Sequence, residues 1–529
     1  MSPVAERTQV LVVGYGPVGQ LLSVLLAQDG TEVTVLERWP RPYPRPRAVA
    51  FDGESARILA SAGLGERVGA FGEPSGDYSW LDENGEELMH YEAHGPGLSG
   101  WPDSTSMYQP GLEEALAGRG AELPSLRLLR GYEAVGLAQP DGDGPVTVEA
   151  VGEDGGRIAV TADWVVGCDG ANSFVRRHMD ADFEDLGFRH DWLICDIVPR
   201  TPRTYRPNNL QVCDPARPRT AVSAGPGHRR WEFMKLDSET PEELDKPDTV
   251  WRLLGEVGVG PGDAELERHA VYTFEAKHAR RWRSGRLLLA GDSAHLMPPF
   301  AAQGMSSGFR DAANLAWKLR LVLTGRAGED LLDTYTEERR EHVRHAIGMS
   351  VSLGRVICQT DPETAREQAE LMKALRRRSP GPARQPSAVA PLLSGFLHRG
   401  GTGSGGELTP QGRVAADGRA GLFDEVSGTG FVLLTSSAPD TLLDAERSAA
   451  LAALGVRTVW VRPAGSPHPS GPETGTGTVE DVEDVYLPYL AGKGAVAAVV
   501  RPDFYLYGAA ADGPALAALL DGLAARLAV

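Results

Sequence analysis

Hydrophobic positions near the N-terminus follow two rhythms in quick succession. Val10-Leu-Val-Val13 is an unbroken apolar run, the pattern of a strand buried on both faces, whereas Leu21, Leu22, Leu25 and Leu26 recur at the spacing of one helix face. Glu32-Val-Thr-Val-Leu-Glu37 repeats the strand pattern. So do the segments Asp163 to Gly170 and Leu287 to Ala290, each followed by a turn and a helical pattern. Between Phe183 and Glu275 the pattern changes to short β-rich segments divided by turns: Trp192 to Val198, Asn209 to Cys213, Arg219 to Ser223, Arg230 to Leu236 and Ala270 to Glu275. A polar helical stretch runs through Glu363 to Arg378. Beyond it, strands at Gly430 to Thr435, Thr458 to Val461, Val496 to Val500 and Phe504 to Tyr507, with a helix at Pro514 to Leu527, predict a separate small α/β unit.

The chemistry lies where strands hand over to helices. Gly14-Tyr-Gly16-Pro17-Val18-Gly19 is a G-x-G-x-x-G turn between strand and helix, and the next strand ends in Glu37, 23 residues after Gly14. That arrangement puts a pyrophosphate on a helix N-terminus and a carboxylate on the adenosine ribose, so it predicts a dinucleotide site. Gly291-Asp292 ends the strand at Leu287 to Ala290, where the carboxylate can accept from sugar-like hydroxyls. The helix after Pro298, Pro299, Phe300, Gly304 and Met305 begins with free N–H groups. Gly255 to Gly262 is Gly-rich too, but lacks the strand and spacing of a second dinucleotide fingerprint.

Gly14 to Glu37, the Asp169-Gly170 segment and the Gly291-Asp292 segment together resemble the three fingerprints of the FAD-dependent aromatic hydroxylases of the para-hydroxybenzoate hydroxylase type. His228-Arg-Arg-Trp-Glu-Phe-Met234 and Met297 to Asp311 are similar to the 3-(3-hydroxyphenyl)propionate hydroxylase and polyketide-tailoring branch. The resemblance implies an α/β protein: a Rossmann-like FAD-binding domain (1–182 and 276–395, with part of 72–108 on the substrate side), an inserted β-sheet substrate domain (183–275), a linker (396–419) and a C-terminal thioredoxin-like domain (420–529). It also implies non-covalent FAD, NAD(P)H as a transient co-substrate without a domain of its own, and hydroxylation of a phenolic ring with O2 through a flavin C4a-hydroperoxide. It assigns to the cofactor Gly14, Gly16, Pro17, Val18, Gly19, Glu37, Arg38, Arg47, Gln109, Asp169, Gly291, Asp292, Pro298, Gly304 and Met305. For the substrate, Tyr205, Gln211, Trp231, Phe233, Pro299 and Phe300 have the right side-chain types. His295 is given a structural role, and no catalytic acid or base is identifiable. Alternatives are a Baeyer–Villiger or antibiotic-inactivating monooxygenase of the same architecture and, from another class, a flavin-binding carrier without turnover.

Composition narrows the partners. The 529 residues exceed one ordinary core, and a net charge of −19 argues against nucleic acid or an anionic membrane. Cys168, Cys195, Cys213 and Cys358 show no metal spacing, and neither a signal peptide nor a membrane span is apparent, so a reduced cytoplasmic protein is expected. No cysteine follows Cys358, so the thioredoxin-like tail is expected to pack, against the FAD domain or a second subunit, rather than to exchange disulfides.

Overall fold

The computed structural model describes residues 4–42, 48–92, 95–140, 144–378, 381, 390–400, 405–466 and 476–527. Strand Val4–Val13 lies at the centre of a sheet, with Val33–Glu37 and Arg157–Gly167 parallel on its two sides. Leu126–Arg130 and Leu287–Leu289 extend the sheet outward in the same sense. Val10, Leu11 and Val12 are wholly buried, as a parallel strand covered on both faces requires. One cover is the pair of helices Pro17–Ala27 and Gly304–Leu323, which meet closely: a Cβ on Gly308 would lie 2.5 Å from Val18 Cγ2. All the parallel strands end at the same edge. That edge gathers Gly14, Glu37, Cys168-Asp169 and Gly291-Asp292, the usual ligand position in open α/β sheets.

A second, eight-stranded sheet stands over that edge, in the order His295–Leu296, Ala264–Ala279, Phe183–Pro199, Arg229–Met234, Arg219–Ser223, Asn209–Cys213, Asp77–Asp82 and Glu87–Glu92. The last two strands come from the N-terminal region and join in parallel at Asn209–Cys213. Its outer face is sealed by helix Pro247–Glu256, where Val250, Leu253 and Leu254 pack on Leu193, Cys195, Trp231 and Phe233.

The C-terminal unit has the expected thioredoxin-like order. Val432–Thr435 pairs in parallel with Arg457–Pro463 and antiparallel with Ala497–Val500, which pairs in turn with Leu506–Ala510 before helix Gly513–Leu527. The expectation of a linker over 396–419 is corrected for its described residues, 396–400 and 405–419. Phe396, Leu397, Leu408, Thr409 and Gln411 are buried, and Arg413–Ala416 and Arg419–Leu422 are strands of the same sheet. The Gly-rich composition conceals this because the partners are remote: Phe396 N–H donates to Glu338 Oε1 (2.7 Å) and Gly406 N–H to Leu506 O (2.7 Å). Among the described residues no helix is long and apolar enough to cross a membrane.

Candidate active site

A single cavity of about 1070 Å³ runs from the ends of the parallel strands to the inner face of the eight-stranded sheet. The three glycines of the first turn do different things there. Gly14 has φ +100°, and a Cβ on it would lie 2.4 Å from Cys168 O. On Gly19 a Cβ would lie 2.2 Å from Gly14 O. Packing alone therefore requires those two positions to be glycine. Gly16 is extended, lines the cavity, and a Cβ there would meet nothing within 4 Å, so its bareness leaves clearance for a ligand. The helix that follows has Pro17 in its first turn and no capping side chain or acid, which leaves its first N–H groups open.

Glu37 is oriented by two backbone donors, Tyr15 N–H (2.7 Å) and Trp39 N–H (2.9 Å), and retains lone pairs toward the cavity. Arg38, Val18, Pro17 and Asp292 also line it. Gln109 is a buried lining residue whose side-chain oxygen accepts from Ala48 N–H (2.8 Å) and whose amide donates to Glu113 (2.7 Å). Asp169 lines the cavity and caps helix Phe174–Arg177, accepting from Phe174 N–H (2.6 Å) and Val175 N–H (3.1 Å) with one oxygen. Its other oxygen is buried without a hydrogen-bond partner, and burial pushes its carboxyl up against those backbone donors. At the far end Pro299, Phe300, Gly304 and Met305 line the cavity, the last two opening helix Gly304–Leu323 with no acid in its first turn.

Three cofactor candidates stand behind the surface. Gly19 and Gly291 are buried packing positions and Pro298 is a buried residue ahead of the turn Pro299–Ala301; none of them lines the cavity. Gly291 N–H donates to Asp311 Oδ2 (3.0 Å), which also meets His295 Nε2 (2.8 Å), while Arg339 Nε donates to Asp311 Oδ1 (2.8 Å). Burial opposes the Asp311 charge, but His295 and Arg339 outweigh it and hold the carboxyl below its ordinary range. His295 thus fixes the loop from behind. Arg310, which joins Glu54 (2.6 Å), Gln303 (2.9 Å) and Asp52, ties the helix start to helix Gly53–Leu59. Arg47 lies outside the described residues.

The substrate candidates divide between the cavity and the packed layers around it. Gln211, Pro299 and Phe300 line the cavity; Tyr205, Trp231 and Phe233 do not. Trp231 and Phe233 point to the opposite face, stacked 6.5 Å apart against the helix Pro247–Glu256 cluster, and Tyr205 lies under the Arg229 guanidinium at 4.1 Å. Side chains alternate along a strand, so their neighbours Arg230 and Glu232 face inward instead, with Ile194, Thr220, Tyr78, Tyr272 and Phe274. The signal for Arg230 and Glu232 was two charged residues at period two in a strand buried throughout.

These residues fit a flavin dinucleotide: a bare glycine over open space, an uncapped helix end, an oriented carboxylate at the second strand and another at Asp292 surround one continuous cavity. The family model described as an FAD binding domain matches residues 7–350, and that of the HcaD C-terminal domain matches 406–526. The chain belongs to the FAD-dependent aromatic hydroxylases. It is 39% identical over 525 residues, 99% of this chain and 96% of the relative, to a probable NADH-specific resorcinol 4-hydroxylase of Rhodococcus jostii (strain RHA1). It is 34% identical over 544 residues, 100% and 96% of the two chains, to the 3-(3-hydroxy-phenyl)propionate/3-hydroxycinnamic acid hydroxylase of Klebsiella pneumoniae (strain 342). In fold it matches the flavin-dependent monooxygenase PieE, solved in complex with FAD and substrate, with a TM-score of 0.81 at 22% identity over 99% of this chain and 100% of that one. As a member of this family the hydroxylase is a flavoprotein monooxygenase that uses NAD(P)H to oxygenate an aromatic ring.

Proposed function

We propose that this hydroxylase acts on a small uncharged phenol of the resorcinol type and takes its electrons from NADH. The observation that carries the reading is the substrate wall: Arg230, the guanidinium on it, is already engaged by Asp196 (2.6 and 3.0 Å) and lies 3.7 Å from Glu232. A carboxylate-bearing ring placed there would compete with two carboxylates in a buried setting, whereas a phenolic hydroxyl would not. The near full-length likeness to a relative named for NADH and resorcinol supports the same choice. FAD, when bound, passes electrons from the nicotinamide to O2. In this reading the helix at Pro17–Ala27 receives its pyrophosphate, Glu37 its ribose and Asp292 its ribityl hydroxyls, while the N–H groups at Gly304 and Met305 stabilise negative charge on the reduced ring.

The reading also places the enzyme in the cytoplasm, with a small molecule rather than nucleic acid or membrane as partner, and any homodimer formed through the C-terminal unit. The test is oxidation of NADH and of NADPH with resorcinol, phenol and 3-(3-hydroxyphenyl)propionate, with product analysis. NADH oxidation stimulated most by resorcinol and yielding a trihydroxybenzene is the expected result. Preference for the propionate overturns it.

A further inference from the structure

The residues of the substrate wall nearest Glu232 satisfy one another, and Glu232 does not share in it. Thr220 and Ile194 flank it in register, and Gln211 lies beyond Thr220. The Thr220 hydroxyl donates to Gln211 Oε1 (2.8 Å), and Gln211 Nε2 donates to Arg219 O (3.0 Å). Glu232, its side chain only 8% exposed, has no hydrogen bond among the described residues. Among the described residues its ion-pair neighbour is Arg230 at 3.7 Å, yet it faces the cavity. A buried carboxylate left open to a ligand cavity is costly unless the ligand supplies the donor. A phenolic O–H is such a donor.

We propose that Glu232 receives a phenolic hydroxyl of the substrate and takes its proton as the ring is oxygenated, a role that rests on the phenol reading above. In that step the O–H bond breaks with its electron pair left on oxygen, and the proton passes to a Glu232 carboxylate oxygen. The ring carbon ortho or para to that oxygen forms the new C–O bond. The ring hydrogen then leaves as a proton while Glu232 returns its own to the carbonyl, restoring an aromatic ring that carries one more hydroxyl. O2 supplies the inserted atom and NAD(P)H both electrons; the O–O bond breaks as the C–O bond forms, and the second oxygen atom takes up protons and leaves as water. Burial pushes the Glu232 carboxyl up to about 7, with Arg230 drawing it down and Asp196 adding to the rise. The other charged or titratable groups around it are Arg268 and Tyr272 on strand Ala264–Ala279, Cys195 on Phe183–Pro199 and Tyr78 on Asp77–Asp82. A base titrating near neutrality is well matched to proton transfer at physiological pH.

The test uses FAD-loaded wild type, Glu232→Gln and Glu232→Asp, with resorcinol as first probe and phenol and 3-(3-hydroxyphenyl)propionate beside it. Probe affinity is read from perturbation of the bound flavin spectrum, and the split between hydroxylated product and hydrogen peroxide is followed on both sides of pH 7. In the wild type, product formation and affinity rise through about pH 7 as the carboxylate ionises. Glu232→Gln is expected to lose that inflection and about 100-fold in product-forming rate, with NADH electrons diverted to peroxide. Glu232→Asp should keep an inflection, moved in pH, so the proposal stays open to refutation even if the Gln variant folds poorly. If Glu232→Gln keeps both the wild-type profile and the product yield, the role of Glu232 falls while the phenol reading stands. If wild type binds none of the three phenols, both fall.

Discussion

At the seam between the FAD domain and the C-terminal unit, Glu338 accepts from Arg501 (2.6 Å), Asn314 (2.6 Å) and the Phe396 N–H, and lies 2.9 Å from Lys318. On the cavity wall, Glu232 has Arg230 at 3.7 Å and no hydrogen bond among the described residues. Both carboxylates are buried, and burial opposes the charge of each. At Glu338 the facing cations and donors win, and the carboxyl is drawn down to about 2. At Glu232 they lose, and it is pushed up to about 7. Donors on both of its carboxylate oxygens mark Glu338 as a joint of the fold; the open carboxylate of Glu232 marks a place where a ligand completes the structure.

Several changes would break or sharpen this contrast. Arg501→Met leaves Glu338 and Asp503 as buried charges short of a partner, and should cost about 3–5 kcal/mol in denaturant unfolding. A loss under 1 kcal/mol would mean the joint is not one. Glu232→Gln should act in the other direction on stability at high pH. Its folded-state pKa is raised from 4.5 to about 7, so the folded protein binds the extra proton and stability falls as pH rises through that window. Removing the group should therefore recover up to roughly 3 kcal/mol above neutrality, read by thermal melting of the ligand-free protein across pH. Asp292→Ala and Glu37→Ala should each weaken FAD binding by about 1.5–3 kcal/mol in flavin titrations. The smallest effect belongs to Trp231→Phe. It lies on the sealed face, so it should shift the melting temperature by an amount equivalent to about 1 kcal/mol and leave phenol affinity unchanged. A changed affinity would overturn the assignment of faces.

These contrasts also show what could be read from the chain alone. Gly14, Gly16, Gly19 and Glu37 were legible because their geometry is local: a turn, a helix start and the end of the next strand. The substrate wall was not. Trp231 and Phe233 drew attention as aromatics, but in a strand buried on both faces hydrophobicity does not say which parity faces the ligand, and Arg230 and Glu232 were the better signal. Tyr78 was out of reach because it enters the wall only through the pairing of Asp77–Asp82 with Asn209–Cys213. The described parts of 396–419 were misread for a related reason, since the carboxylate that anchors Phe396 is 58 residues away in the chain.

The alternation along strand Arg229–Met234 carries an evolutionary consequence. Trp231 and Phe233 there are committed to the packed layer under helix Pro247–Glu256, while Arg230 and Glu232 line the ligand space. Inward residues such as Gln211 and Thr220 can therefore drift or be randomised with little disturbance to the layer behind them. With Glu232 retained, a combinatorial library at these two positions and Tyr78 should yield folded, flavin-loaded proteins with altered ring preferences far more often than a library of equal size at Leu193, Trp231 and Phe233.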